Sequence, residues 1–274
     1  MNRRGPGKLV YLTLLAVVFF SSIPLYFSLV VASHDNSVIG QVPPPLLPGP
    51  NLLENVRRVF ETVPFGAALV NSLIVSGTVT ASVVLFSTLA GFAFARLKFR
   101  ASNALLVIVV ATMMVPTQLG IIPLYIMMSE IGWTDSLQAV IVPALVNAFG
   151  VFFMTQYLRE ALPVELIEAG RVDGASTRRL FWNVVLPIAR PAAAVLGMLT
   201  FLTAWNDYFW PLVVLSSPEN YTVQVALSNL RSGYVTDFSL ALTGALLATV
   251  PLLLAFVVLG RHIIGGIMQG AVKG

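Results

Sequence analysis

The sequence predicts an all-α polytopic membrane protein with six transmembrane helices and one long helix-turn-helix loop between the fourth and fifth. The first observation is composition. Of 274 residues, 57% are hydrophobic and only 10% charged, and mean hydropathy is +0.86, beyond the balance of a soluble domain. The second is length: six apolar segments, at about 9–31, 65–95, 104–128, 139–157, 192–215 and 240–259, match the roughly 20 helical residues that cross a bilayer core. The third is the basic, motif-bearing stretch 159–190, which belongs to none of them.

The chain divides into an N-terminal segment 1–8, a single membrane domain 9–260 and a tail 261–274. Arg3, Arg4 and Lys8 precede the first span, and Ala32-Ser33 follow it, the layout of a cleaved signal. The apolar run exceeds the roughly 7–15 residues of a signal core, so it reads as a retained anchor. Segment 33–64 holds Pro43, Pro44, Pro45, Pro48 and Pro50. Within it Leu52, Val56, Val59, Phe60 and Val63 form one apolar stripe, predicting a short surface helix that either covers the membrane helices or meets an external solute receptor.

The spans are patterned for close packing. Ser87-x-x-x-Gly91-x-x-x-Ala95 and Gly244-x-x-x-Ala248 put small residues on one helical face. Pro24, Pro116, Pro123, Pro143, Pro211 and Pro251 interrupt hydrophobic runs, and Asn71, Ser72, Gln118 and Asn147 add polar groups inside spans. Both features are expected of a bundle around a cavity and also occur in inert bundles.

Charge gives orientation. With a cytoplasmic N-terminus, the inside segments hold Arg3, Arg4, Lys8, Arg96, Lys98, Arg100, Arg159, Arg171, Arg178, Arg179, Arg190, Arg261 and Lys273, thirteen of the sixteen basic residues. Only Arg57, Arg58 and Arg231 lie outside. The positive-inside rule therefore predicts that both termini and loop 159–190 are cytoplasmic. The pI of 9.6 follows from this topology and implies no nucleic-acid partner.

Inside that loop, Pro163 is suited to open a helix carrying Val164, Ile167 and Val172. Asp173-Gly174 stops it, with Gly174 able to take positive φ. Ser176 or Thr177 caps a second helix bearing Leu180, Phe181, Val184 and Val185, which Leu186-Pro187 ends. A plain solvated connector would not need Leu180, Phe181 and Trp182 facing water. Glu168 either pairs locally with Arg171 or Arg159 or reaches a basic residue on another chain.

The fifth span carries Trp205-Asn206-Asp207-Tyr208-Phe209-Trp210-Pro211. Asp207 is the one carboxylate placed inside a span, where a charge costs about 2.5–3.5 kcal/mol on insertion scales unless paired or hydrated. It either lines a pathway with Asn206, Trp205 and Tyr208 or hydrogen-bonds neighbouring helices. The aromatic residues read first as an interfacial belt.

Three stretches resemble one family. Glu168-Ala169-Gly170, three residues, Gly174, nine residues, then Val184-Val185-Leu186-Pro187 resembles the EAA signature of importer-type ABC transporter permeases, with Gly170 replacing the second Ala. The run from Trp205 to Pro211 is similar to Trp-Asn-Asp/Glu-x-x-Trp-Pro of carbohydrate importers. Gln269-Gly270-Ala271-Val272-Lys273-Gly274 resembles the ending of maltose-type permeases with six spans. The resemblance implies a coupling loop, with Glu168, Ala169, Gly170, Asp173, Gly174, Leu186 and Pro187 engaging an ATPase. It also implies a second related permease, a homodimeric ABC ATPase using ATP and Mg, an extracytoplasmic solute-binding protein and a sugar substrate, in a bacterial or archaeal cell membrane.

Absences restrict the class. No Gly-x-x-x-x-Gly-Lys-Ser/Thr phosphate loop occurs, so energy must come from a partner and the chain itself is expected to be no enzyme and to bind no cofactor. No His-Glu-x-x-His occurs; His34 and His262 are isolated, and cysteine is absent. The expected function is the permease subunit of a binding-protein-dependent sugar importer. The alternatives are a stand-alone channel or ion-coupled carrier, or a permease for a solute such as glycerol phosphate or a polyamine.

Overall fold

The structure, a computed structural model, describes residues 7–231 and 236–271, with side chains as far as Val257. Arg3, Arg4 and the Val272-Lys273-Gly274 end of the tail motif lie outside the described residues. Of Arg261, His262 and Gln269-Gly270-Ala271 only the backbone is described. By packing the chain forms two units, Met1–Phe65 with Ala226–Val250, and Gly66–Val225 with Pro251–Gly274.

Most of the described residues are helical, and among them five helices are long and apolar enough to cross a membrane, or six if one bent pair counts as a single span. In the first unit, α1 (Lys8–Ala32) carries no charge after Lys8 and buries only Val30, Val31 and Ala32. Its end is closed by α2 (Leu52–Thr62). Buried Asn55 donates from Nδ2 to the carbonyls of Ala32 and His34, both at 2.8 Å, satisfying acceptors that a helix C-terminus leaves unpaired. Of the expected apolar stripe Val59 is fully buried, while Phe60 stays 47% exposed and packs edge-on against Phe65.

The second unit begins on α3 (Phe65–Arg96), a 32-residue helix. The expected third span, 104–128, is not one straight helix. Instead α4 (Ser102–Thr112) and α5 (Ile121–Glu130) are separated by a turn at Thr117–Gly120 and bent by 87°. Pro116 is the physical cause, because it has no N–H to donate and it disfavours helical backbone at Val115. A second broken helix follows, α6 (Leu137–Ile141) and α7 (Ala148–Ala161), interrupted at Pro143; Asn147 caps α7 by accepting the Gly150 N–H at 2.6 Å.

The small residues of α3 bring it against α7. A Cβ on Gly91 would lie 2.8 Å from the Met154 backbone, and Gly150 of α7 in turn leaves room for Ser87. Beyond α7 come α8 (Val164–Val172), α9 (Thr177–Leu180), α10 (Leu186–Trp205), α11 (Phe209–Val214) and α12 (Val223–Asn229). Asn71 donates to the carbonyls of Glu219 and Tyr221, and the Ser72 hydroxyl accepts the Val223 N–H at 2.8 Å. The last helix, α13 (Phe238–Ala271), starts in the first unit. There Gly244 leaves room for Leu227 and Leu230.

Candidate functional site: the loop between α7 and α10

Two helices and a tight turn make up the loop. Helix α8 follows Pro163 and ends at Asp173. Gly174 adopts φ +75°, its N–H bonds the Arg171 carbonyl at 3.0 Å, and the Ala175 N–H bonds Gly170 at 2.9 Å. This pair of bonds is the Schellman ending, which needs a left-handed residue where Gly174 stands. Ser176, rather than Thr177, caps α9 by accepting the Arg179 N–H.

The second helix does not end at Leu186-Pro187. A π turn over Phe181–Val185 carries α9 directly into α10, and the helix runs unbroken from Thr177 to Trp205. The wider turn sits just before Pro187 and Pro191, where an α-helical ladder would lose donors. The loop's second leg and the following span are therefore one rod.

Side-chain burial separates the loop into two faces. Ile167, Leu180 and Phe181 are 2–3% exposed and join a core cluster with Phe92, Met154, Leu158, Leu162, Val185 and Ala189. The expectation that Leu180 and Phe181 face water is thus corrected: burial of apolar area holds them inward. Exposed are Glu168, Ala169, Asp173, Gly174 and Pro187, with Val172 at 88% and Trp182 at 49%. Leu186 is half-buried. Glu168 forms no ion pair among the described residues, so its local pairing with Arg159 or Arg171 is absent there. Gly170 faces Leu180, whose methyl would have to shift to make room for a Cβ at this position.

Both legs are tied to the bundle. Arg96, the last residue of α3, donates from Nε to the Leu162 carbonyl at 2.6 Å and from Nη2 to the Arg159 carbonyl at 2.7 Å. Tyr157 donates its hydroxyl to the Ile188 carbonyl at 3.3 Å on the other leg. Sequence reading found neither latch. Arg96 was legible only as a topology signal.

The second cluster lies where α10 breaks. Trp205 is 1% exposed and stacks on Phe201 at 5.7 Å. Asn206 is exposed, bonding the Leu202 carbonyl and receiving Gln224 Nε2 at 3.2 Å. Half-buried Asp207 is held towards the backbone N–H groups of Phe209 and Trp210 at the start of α11. Tyr208 is 39% exposed. Trp210 instead donates its indole N–H to the Ala139 carbonyl at 2.9 Å.

One further polar hub was not expected. Asp135, at φ +57°, accepts the N–H groups of Ser216 and Ser217 and the Ser217 hydroxyl, while its carbonyl accepts Asn220 Nδ2. The Ser217 hydroxyl first, then its backbone N–H, pull the carboxyl down to about 2. It staples the α5–α6 connection to the segment after α11.

Comparison with known proteins agrees with this architecture. The family model described as "Binding-protein-dependent transport system inner membrane component" matches residues 62–267. The sn-glycerol-3-phosphate transport system permease protein UgpE of Yersinia pestis is 29% identical over 276 residues, covering 98% of both chains. The lactose transport system permease protein LacG of Rhizobium radiobacter is 30% identical over 275 residues, covering 100% of this chain and 98% of the relative. The arabinooligosaccharides transport system permease protein AraQ of Halalkalibacterium halodurans is 33% identical over 74% of this chain and 73% of its own. Among solved structures, a bacterial ABC transporter involved in alginate import aligns with TM-score 0.76 over 95% of this chain and 99% of its own, at 21% identity, a likeness of fold. The chain belongs to the binding-protein-dependent transport system inner membrane components, the non-catalytic, multi-pass permease subunits of ABC importers.

Proposed function

We propose that this chain is one of two related permease subunits of an ATP-driven sugar importer and that residues 168–187 couple it to one subunit of a homodimeric ATPase using ATP and Mg. The observation that carries the reading is the two-faced loop. Its inner face, Ile167, Leu180 and Phe181, is buried in the bundle core, and its outer face, Glu168, Ala169, Val172, Asp173 and Gly174, is open. A push on the outer face is transmitted through packed side chains and a continuous helix to Trp205. Closure of the ATPase dimer then rocks the spans between inward-open and outward-open states, provided ATP favours one arrangement over the other.

In this reading the loop and both termini are cytoplasmic, and an extracytoplasmic solute-binding protein delivers cargo from the opposite side of a bacterial or archaeal cell membrane. The positive-inside distribution supports that orientation. Asn206, Asp207 and Tyr208 contribute to the pathway at the α10 break, with Trp205 as the buried base beneath them. The cargo is a carbohydrate or a polyol ester, since the relatives are named for lactose, arabinooligosaccharides and glycerol phosphate.

Cross-linking tests the coupling assignment. The chain has no cysteine, so Glu168→Cys supplies a single site in it, used in the assembled importer with the partner subunits made cysteine-free. Nucleotide-sensitive cross-linking to the ATPase is the expected result. Cross-linking only to the second permease or to none of the subunits overturns it. Binding of labelled lactose, arabinooligosaccharide and sn-glycerol-3-phosphate to the cognate solute-binding protein decides the cargo.

A further inference from the structure

Between α1 and α2 the chain makes a proline-rich excursion that the transport reading does not use. From Asn36 to Leu53 there is no charged residue. Val42 is 96% exposed, Leu46 74% and Leu47 75%. The excursion is pinned at both levels. Gly49 donates its N–H to the Ser33 hydroxyl at 2.7 Å and Asn51 to the Ser33 carbonyl at 2.9 Å, beside the end of α1. Lower down, the Tyr26 hydroxyl donates to the Leu46 carbonyl at 2.6 Å.

Tyr26 lies six residues before Ala32, so at 1.5 Å rise per residue its Cα is about 9 Å back along α1 from the helix end. Side chains tilt towards the helix N-terminus, which places the hydroxyl no nearer that end. The 25 residues of α1 span about 37 Å, and a hydrocarbon core is about 30 Å thick, so the level of Tyr26 falls inside the core boundary when the helix is centred. Leu46 is therefore drawn back along α1 to membrane depth.

The local chemistry suits that depth. Irregular backbone is excluded from lipid by its unpaired N–H groups. Pro43, Pro44, Pro45 and Pro48 have none, which leaves only Leu46 and Leu47 as donors between residues 43 and 48. The carbonyls that remain need water or headgroups, which fixes the segment at the interface and not the bilayer centre. We infer that residues 42–48 form a non-helical anchor whose Val42, Leu46 and Leu47 insert into the lipid leaflet that meets the C-terminal end of α1. Tyr26 sets the depth.

The test uses the complete importer, its partner subunits made cysteine-free, in vesicles of phosphatidylethanolamine and phosphatidylglycerol. A nitroxide is attached after Leu47→Cys, with Leu14→Cys on the exposed flank of α1 as the lipid reference and Glu61→Cys as the water reference. Collisions with oxygen exceeding those with a water-soluble nickel chelate at position 47, as at position 14, are expected. Adding Tyr26→Phe is expected to shift position 47 towards the water reference. Val42→Cys gives the same reading if the first variant does not assemble. Preferential access to the nickel chelate at both positions overturns the anchor. So does poor access to both reagents, with or without the solute-binding protein, because the segment would then be covered by protein.

Discussion

Arg96 Nε lies 2.6 Å from the carbonyl oxygen of Leu162, so the last residue of α3 closes the end of α7 at the point where the loop departs. Leu162 is fully buried. The same guanidinium reaches the Arg159 carbonyl, and its planar fork suits two acceptors better than an ammonium does.

Replacing Arg96 tests that latch. Arg96→Leu leaves two helix-end carbonyls without their donor, at a cost of about 1–3 kcal/mol where they are buried. A lowered thermal midpoint of the assembled importer is expected, together with more ATP hydrolysed per solute moved. Arg96→Lys restores charge but not geometry and is expected to recover stability only in part. An unchanged ratio of hydrolysis to transport in both variants would mean the latch only stabilises.

Gly174 offers a purely backbone test. Nothing lies within 4 Å of a Cβ placed there, yet φ is +75°, and a left-handed conformation costs about 1–2 kcal/mol for an ordinary residue. Gly174→Val is expected to insert normally but to lose uptake and stimulated hydrolysis, whereas Gly174→Asn retains most of both. Equal behaviour of the two variants contradicts the turn's role.

The Asp135 staple has a defined pH window. Its carboxyl is lowered from 3.8 to about 2, chiefly by the Ser217 hydroxyl and N–H. The stabilisation is therefore fully present above the unfolded value and is lost as pH falls through the folded one. Asp135→Asn tolerates φ +57° and removes the charge together with one of the two accepting oxygens. Its melting midpoint is expected below wild type at pH 6, with the gap closing between about pH 4 and pH 2.

Asn55 is 2% exposed and supplies two bonds to the end of α1. Asn55→Leu matches its size and removes both donors, so a destabilisation of about 1–3 kcal/mol is expected. Denaturation in detergent measures it. A neutral result means that water replaces the amide.

Asp207→Ala addresses the pathway. Uptake is expected to be lost while insertion and ATPase binding persist. Full uptake in this variant leaves Asp207 only its role beside the Phe209 and Trp210 N–H groups.

Much of the site was legible because it is written in local chemistry. Pro163 and Gly174 mark helix ends through their own backbone preferences and Ser176 through its hydroxyl, and the structure uses each that way. The extension through Pro187 was not legible, since a proline after an apolar run reads as a stop unless a π turn absorbs it. Leu180 and Phe181 were assigned to water because their burial depends on Phe92 and Leu158, distant in sequence.

By itself the sequence determined an all-helical membrane chain, its importer family and the place of its loop, because hydropathy, charge and motif spacing are properties of neighbouring residues. Only the tertiary structure decided which polar side chains close which helix ends, Arg96 on Leu162 and Asn55 on Ala32, and which tie connecting segments together, Asp135 on Ser217. A carbonyl or amide becomes available as a partner only once packing has set where its helix stops, and no local pattern encodes that.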